Sequence, residues 1–299
     1  MDHSAVAAFL AVAEEGSFRK ASARLGYTQA GISYIIQGLE AETGLNLFLR
    51  TRSGVQLSSE GTALLPHFRQ LEHDWRQMQQ VIQELRGLER GKLRVQIFDS
   101  ISIHWLPGIL QEFQRDFPGI AVELVSEEDS TKAEQMVVSG EVDCGFFLTD
   151  VNAAIDVFKL HEESLLAIVA PDHPMASRAV FPVEELGNFP YISMKYDRHT
   201  GIQEIFQRNH AVPATAYCMD NDHAAMAMVS KGLGYCIFPE LLLQDISYPL
   251  RCLEFDRPQR RTIRVGTRSV ETASKACLKF IEYTRRWVAE HYPPAPRQP

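Results

Sequence analysis

A chain of 299 residues is long enough for two or three compact units, each with a core of its own. Its 45% apolar and 23% charged residues are the proportions of an ordinary globular protein. No stretch reaches the roughly 18 apolar residues of a membrane span, so no membrane partner is expected. The formal net charge of −8 excludes bulk attraction as a basis for nucleic-acid binding, and phosphate contacts would need local placement and helix N-termini.

The first run, Ala5 to Ala13, is apolar but lacks a basic start and meets Glu14 and Glu15 at once. It reads as a helix face and not a secretory signal, which points to a cytoplasmic protein. Phe9, Val12 and Ala13 form its inner side, and it closes at Gly16. Ser17 caps a second helix, Phe18 to Leu25, with Phe18, Ala21 and Leu25 turned inward. After a turn at Gly26, Thr28 stands where an N-cap belongs, its hydroxyl able to accept an orphan N–H. Ile32, Ile36 and Leu39 recur at i, i+4 and i+7 with Ile35 beside them, one apolar stripe. The other face carries Gln29, Ser33 and Gln37, flanked by Ala30 and Tyr34. Uncharged amides, hydroxyls and small side chains let a helix approach base edges, and Gln pairs bidentately with adenine. Helix, turn and a further helix with a polar outer face are the parts of a helix-turn-helix DNA reader.

Gly44 ends this third helix, and Arg50 to Leu57 reads as a β-wing with Ser53-Gly54 at its tip. Arg50 and Arg52 would grip phosphate or an adjacent minor groove. From Ser59 to about Glu89 one long helix is expected, with Pro66 near enough its start to kink it without breaking its middle. Leu64, Leu71, Trp75, Met78, Ile82 and Leu85 form a seam at near-heptad spacing. A single helix cannot bury such a seam, so it asks for a second copy of the chain. Gly87 and Gly91 make a hinge.

Phe9-Leu-Ala-Val-Ala-Glu-Glu-Gly-Ser-Phe, Ala21 to Leu25, Gln29, Ser33, Leu39-Glu40, Gly44, Leu47-Phe48, Arg50, Leu57-Ser58 and Gly61 follow the order and spacing of the LysR-type transcriptional regulators. The chain resembles that family. It departs where Gly31 replaces the usual Ala, where Tyr34 replaces a basic or long polar residue, and where Ser53 replaces the second wing arginine, with Arg52 adjacent. The resemblance implies an α+β composite. A winged helix-turn-helix would fill residues 1–58, and a dimerisation helix and hinge residues 59–91. A two-lobed α/β effector domain shaped like a periplasmic binding protein would fill 92–299, with lobe I at 92–164 and 268–292 and lobe II at 165–267. It implies double-stranded promoter DNA and a small-molecule effector as ligands, and a homodimer paired into a homotetramer. RNA polymerase is a further candidate partner. DNA contacts would fall to Ser17, Thr28, Gln29, Ala30, Ser33, Tyr34, Gln37, Arg50 and Arg52.

Strand and helix signals alternate from Lys92 onward, which is an α/β pattern. Strands fit 93–98, 120–125, 144–148, 165–170, 191–194, 214–219, 235–238, 250–255 and 262–267; helices fit 105–117, 130–139, 201–209, 222–231 and 271–290. The proline-rich tail from Pro293 reads as disordered. Ligands of two-lobed α/β domains lie at strand C-termini and helix N-termini. Ser100 and Ser102 stand at the first such point, Phe147 and Thr149 at the second, and Ser193, Lys195, Tyr196, His199 and Thr200 at the third. Lys195 with hydroxyls and helix N-termini suits a carboxylate or other anion. Glu127-Glu128-Asp129 could border the same cleft and welcome an amine instead, and an amino acid would satisfy both. Asp220 to Asp222 could approach it too.

The five cysteines, Cys144, Cys218, Cys236, Cys252 and Cys277, lack Cys-x-x-Cys spacing, so neither zinc nor a disulfide framework is indicated. The alternative to a ligand sensor is a thiol or peroxide sensor using Cys218 and Cys236. No Gly-x-Ser-x-Gly elbow, phosphate loop or His-Glu-x-x-His motif occurs. Enzymatic activity, a bound metal and a cofactor are therefore not expected.

Overall fold

The computed structural model describes residues 1–51, 54–85, 91–151, 154–197 and 200–293. It divides into two compact units, Met1–Arg90 with Val138–Glu141, and Gly91–Val137 with Val142–Pro299.

In the first unit three helices, α1 (His3–Glu15), α2 (Phe18–Leu25) and α3 (Gln29–Thr43), each begin on a side-chain cap. Asp2 accepts the Ala5 N–H at 2.9 Å, Ser17 that of Lys20 at 3.4 Å, and Thr28 that of Gly31 at 3.0 Å. Such caps satisfy donors that the first helical turn would otherwise leave open. Phe9, Ala21, Ile32, Ile36, Leu39, Leu47 and Phe68 form one core, with the Phe9 ring stacked on Phe68 at 4.2 Å. Strands β1 (Phe48–Thr51) and β2 (Gly54–Leu57) pair antiparallel as the wing. Glu40 fixes the entry to it by accepting the N–H groups of Leu47 at 2.7 Å and Phe48 at 3.3 Å. The backbone turns from wing to helix α4 (Ser59–Leu85) over Ser58, whose hydroxyl donates to Asn46 O at 2.7 Å and accepts the Gly61 N–H at 2.9 Å. Helix α4 runs through Pro66 without interruption. Residues 86–90, where the helix was expected to finish, and Gly87 of the hinge lie outside the described residues, as does the Leu85 side chain.

Gly61 matters here because the chain passes so closely. A Cβ on it would stand 2.2 Å from Leu47 O, a backbone atom that cannot swing aside. Gly61→Ala is expected to lower the stability of this unit by about 1–3 kcal/mol, read as a fall in its denaturation midpoint. An unchanged midpoint would mean that the wing entry yields freely.

The second unit opens with β3 (Gly91–Ile97), α5 (Asp99–His104), α6 (Leu106–Asp116), β4 (Ile120–Ser126), α7 (Ser130–Val138) and β5 (Cys144–Phe147). A 14-residue strand follows, β6 (Asp156–Val169). Then come β7 (Val180–Phe181), β8 (Pro190–Met194), α8 (Ile202–Arg208), β9 (Ala214–Met219), α9 (Asp222–Ser230), β10 (Cys236–Pro239), β11 (Arg251–Phe255), β12 (Arg260–Thr267) and α10 (Lys275–His291). The main sheet runs β4-β3-β5-β12-β6-β11-β7, with β10 also on β6 and β8-β9 as a separate pair.

Strand β6 belongs to two lobes at once. Its first part, Asp156 to Ser164, pairs with β12, and its second part, Leu165 to Val169, pairs with β10 and β11. Around the first part lies a core with Leu93, Val95, Trp105, Ile109, Phe113, Phe146, Val265 and Phe280. Around the second lie Tyr191, Phe206, Tyr235, Ile237 and Phe255, and next to them Ile192, Met226, Val229 and Phe238. Apolar strands such as β5 and β10, buried at every residue, are the expected centre of a sheet covered on both faces. Gly232 takes the left-handed conformation, φ 73°, just after α9 and turns the chain toward β10.

The structure corrects four expectations. β6 begins at Asp156 and not at Leu165, because Lys159, Glu162 and Glu163 sit inside a strand whose charges find partners: Lys159 bonds Glu162 at 2.8 Å, and Glu163 bonds Arg261. The helix expected at 105–117 forms as Leu106–Asp116, but a second helix that was not expected, Asp99–His104, precedes it and ends at Trp105, where Pro107 starts the next. Helix α10 starts at Lys275, where Ser274 caps it through the Cys277 N–H at 3.2 Å, and not at Glu271. The short β7 was not foreseen at all; two residues are too few for any periodic signal. The tail beyond Pro293 lies outside the described residues.

Candidate functional site

On α3 the buried residues are Ile32, Ile36 and Leu39, one stripe against the core. Opposite them Gln29, Ala30, Tyr34 and Gln37 are exposed and Ser33 is half-buried. Tyr34 is 78% exposed, so its ring packs on nothing within the unit. Thr28 is exposed but its hydroxyl is committed to the cap, as is that of Ser17 at the start of α2. Arg50 lies on β1 opposite Val55, its side chain outside the described residues together with Arg52. Helix α4 exposes Leu71, Trp75, Met78 and Val81. Leu71, Trp75 and Met78 follow the heptad spacing of the expected seam, and Val81 lies beside it.

The second unit contains a small, narrow cleft lined by Ser100, Glu128, Leu148, Tyr196, Thr200, Ile202, Asp222, Pro239, Leu242 and Arg261. Of the residues singled out in the sequence it brings together Ser100, Glu128, Tyr196, Thr200 and Asp222. Phe147 does not reach it: the ring is buried among Met136, Val137, Val142 and Ile155, and Leu148, the next residue of the alternating chain, takes the lining position. Thr149 offers its carbonyl to Arg264 at 3.1 Å, and Ser102 donates to Asp99 O at 2.8 Å. Ser193 donates to Tyr217 O at 3.2 Å. Lys195 is at the surface, 65% exposed and paired with Asp220 at 2.7 Å. His199 lies outside the described residues.

Two residues that no sequence motif marks organise this cleft. Arg261, on β12, gives Nε and a terminal nitrogen to Glu163 on β6, each at 2.8 Å, and reaches Ser100 Oγ at 3.3 Å. Glu163 in turn accepts the Leu241 N–H at 2.8 Å. Both charged groups are almost fully buried, at 8% and 2% exposure, and so must be paired. The only hint in the sequence is that Glu163 and Arg261 each sit next to a like charge, Glu162 and Arg260, within alternating strands where one neighbour must face inward.

The carboxyls of the cleft are perturbed. Burial, reinforced by Asp99 and Asp222, pushes Glu128 up to about 7 although the Asp99 N–H donates to it at 2.8 Å. Burial also raises Asp222, against the opposing pull of the Tyr196 hydroxyl that donates to it. Burial and the same Asp222 raise the Tyr196 phenol. Close by, Asp197 is pushed up to about 6 by burial while it accepts Tyr191 O–H at 2.7 Å and Met194 N–H at 2.9 Å.

The cysteines are free, with Cys144, Cys236 and Cys277 buried and Cys218 and Cys252 exposed. Cys218 pairs with Ser193 of β8, and β8 meets the β10 side through Tyr191 and Tyr235. A strand therefore stands between Cys218 and Cys236. Two strand spacings are about 9.6 Å, beyond the reach of a disulfide, which needs Cα atoms within about 7 Å. Burial also pushes the Cys236 thiol well up, which suppresses its thiolate.

A capped helix-turn-helix with a wing, a long amphipathic helix and a two-lobed α/β unit with a polar cleft define a sensory DNA-binding regulator. Comparison with known proteins gives the class its family. The model described as "Bacterial regulatory helix-turn-helix protein, lysR family" matches residues 3–62, and that described as "LysR substrate binding domain" matches residues 86–289. The chain belongs to the LysR family of ligand-responsive transcriptional regulators. It is 26% identical over 281 residues to the uncharacterized HTH-type transcriptional regulator YvbU of Bacillus subtilis (strain 168), covering 93% of this chain and 95% of that protein. It is 30% identical over 241 residues to the uncharacterized HTH-type transcriptional regulator YnfL of Escherichia coli (strain K12), covering 77% and 80%. Among solved structures, a full-length OxyR variant from Pseudomonas aeruginosa matches with a TM-score of 0.75 at 18% identity, over 97% of this chain and 95% of that one. Full-length CbnR complexed with its target DNA matches with a TM-score of 0.67 at 22% identity, over 96% and 100%. At these identities the likeness is one of fold. No helix among the described residues is long and apolar enough to cross a membrane.

Proposed function

We propose that α3 enters the major groove of promoter DNA and that Gln29, Ala30, Ser33, Tyr34 and Gln37 face the bases. Ser17 and Thr28, at helix N-termini, would meet phosphates, as would Arg50 and Arg52 of the wing. The observation that carries this reading is the uncharged, exposed side of a helix whose other side is locked into a core. A rigid helix presenting amides and hydroxyls can be selective where a charged one would only adhere. The seam of α4 with Leu71, Trp75 and Met78 exposed and Ile82 in register would pair two copies of the chain, and two dimers would form a tetramer on an interrupted palindrome. Such a regulator works in the cytoplasm beside RNA polymerase and catalyses no reaction.

The effector is proposed to sit in the cleft at Ser100, Tyr196 and Thr200, and to act by population shift. It must bind one lobe arrangement better than another, and the difference is what reaches the DNA-binding unit. The anionic effector expected from Lys195, hydroxyls and helix N-termini would find the hydroxyls of Ser100 and Thr200 in this cleft, with Lys195 paired to Asp220 and not among the lining residues.

Gln29→Ala is expected to reduce discrimination between operator and unrelated DNA by about 1–3 kcal/mol, with non-specific binding retained. Competition gel shifts at one fixed salt concentration measure this. An unchanged specificity ratio would move the base readout elsewhere on α3.

A further inference from the structure

We infer that Tyr34 reads a thymine, its ring lying against the base's methyl group, and that Gly38 is bare so that α3 can come close enough for this contact. The inference rests on the reading that α3 enters the major groove, and it names the base chemistry read there. DNA as the ligand comes from the helix-turn-helix family that residues 3–62 match, and not from the shape of this face.

The first observation is where Tyr34 stands. Two residues turn an α-helix by about 200°, so position 34 lies nearly opposite both Ile32 and Ile36, which anchor α3 in the core. It projects away from the core more directly than Gln29 or Ser33. A long helical side chain leans back over the residues three and four before it. Here these are Gly31 and Ala30, and neither can cover a ring. At 78% exposure Tyr34 carries the most exposed aromatic ring among the described residues.

The second observation is Gly38, one turn further on and exposed. Its φ is not positive, and a Cβ built on it would meet no atom within 4 Å. Neither backbone strain nor crowding therefore accounts for a glycine inside α3, although glycine is the poorest helix former after proline. Gly31 is different: a Cβ there would stand 3.2 Å from Thr28 Oγ1, the capping atom, so the cap accounts for it. What Gly38 leaves open is space for something outside the chain, and close approach of a backbone to a ligand is a use that glycine serves.

The chemistry of the groove then selects the base. Base edges in the major groove present hydrogen-bond donors and acceptors and one apolar group, the thymine methyl. A tyrosine cannot pair bidentately as Gln29 can, and its ring is an apolar surface of the kind that the methyl fits.

The test starts from a duplex that the full chain selects from a random-sequence library, with each thymine replaced in turn by deoxyuridine, which lacks only the methyl. At one thymine of each half-site the replacement is expected to weaken binding by about fourfold, the worth of burying one methyl. Tyr34→Ala is expected to bind the intact duplex more weakly and to lose that penalty, and Tyr34→Phe to keep it. Gly38→Gln, which adds bulk and no charge, is expected to raise the thermal midpoint of the first unit by about 2–4 °C. The same variant is expected to weaken operator binding by about tenfold or more. A deoxyuridine penalty of equal size in the parent and in Tyr34→Ala, or none at any thymine, overturns the thymine assignment. Gly38→Gln with a raised midpoint and undiminished binding overturns the close approach, and a lowered midpoint does so by giving Gly38 a role in the fold. A parent that selects no sequence from the library removes the reading of α3 beneath the inference.

Discussion

Glu163→Ala destabilises the two-lobed unit by about 3–5 kcal/mol, as expected for removing one partner of a buried ion pair. Arg261 would be left with its charge 8% exposed and no carboxylate, and the Leu241 N–H would lose the oxygen it donates to at 2.8 Å. Neither group can turn to water without opening the crossing of β6 and β12, where Glu163 and Arg261 stand directly paired in the strand register. The measurement is the chemical denaturation transition of this unit in the full chain. Replacing both partners by apolar residues of similar volume is expected to recover much of the loss, since the pair's desolvation nearly offsets its attraction. A single-variant loss below about 1 kcal/mol would mean that the pair is solvated in solution, as exposed pairs are.

The second large effect is a pH profile. Glu128 is held at about 7 in the folded chain against an ordinary 4.5, through burial and the facing Asp99 and Asp222, with Arg261 and the Asp99 N–H pulling the other way and the Tyr196 phenol close by. Folded chain keeps a proton that the unfolded chain has released, so stability falls as pH rises from about 4.5 to about 7 and is level above that. Asp222, also raised, acts in the same direction. Glu128→Gln removes the titrating group. The variant should match the parent near pH 4.5 and exceed it by on the order of 2–3 kcal/mol at pH 8. Thermal midpoints of both proteins across that range decide it. A variant less stable than the parent at pH 8 would show that the bond from Asp99 outweighs the burial of charge.

The helix-turn-helix was legible because its signals are local: a cap hydroxyl at Thr28, a stripe at Ile32, Ile36 and Leu39, and glycines where helices stop. The alternation of strands and helices after Lys92 was legible for the same reason. The cleft was only partly so. Ser100, Tyr196 and Thr200 line it because they stand at element ends, where sequence reading looks for ligands. Arg261 and Glu163 escaped notice since their meaning is a contact 98 residues apart along the chain. Lys195 stands in the turn after β8 and pairs with Asp220 at the surface, while its neighbour Tyr196 lines the cleft, a difference that no local pattern announces. The acidic side of the cleft, Glu128 and Asp222, comes from two stretches that the sequence already offered, Glu127 to Asp129 and Asp220 to Asp222.

Because β6 serves both lobes, the unit has an unusual schedule of assembly on the ribosome. β5 exposes an edge from the moment it is made, and the strand that covers it, β12, follows more than a hundred residues later, as the pairing of Phe146 with Val265 records. Everything that builds the second lobe is synthesised in that interval. The second lobe can therefore collapse around the free end of β6 while the first still lacks a strand and its closing helix α10. Contacts of such sequence separation fold slowly, and an unpaired apolar edge in the meantime is a surface for misassociation. Chains that stop before β12 should accordingly aggregate and not accumulate as a stable half-molecule.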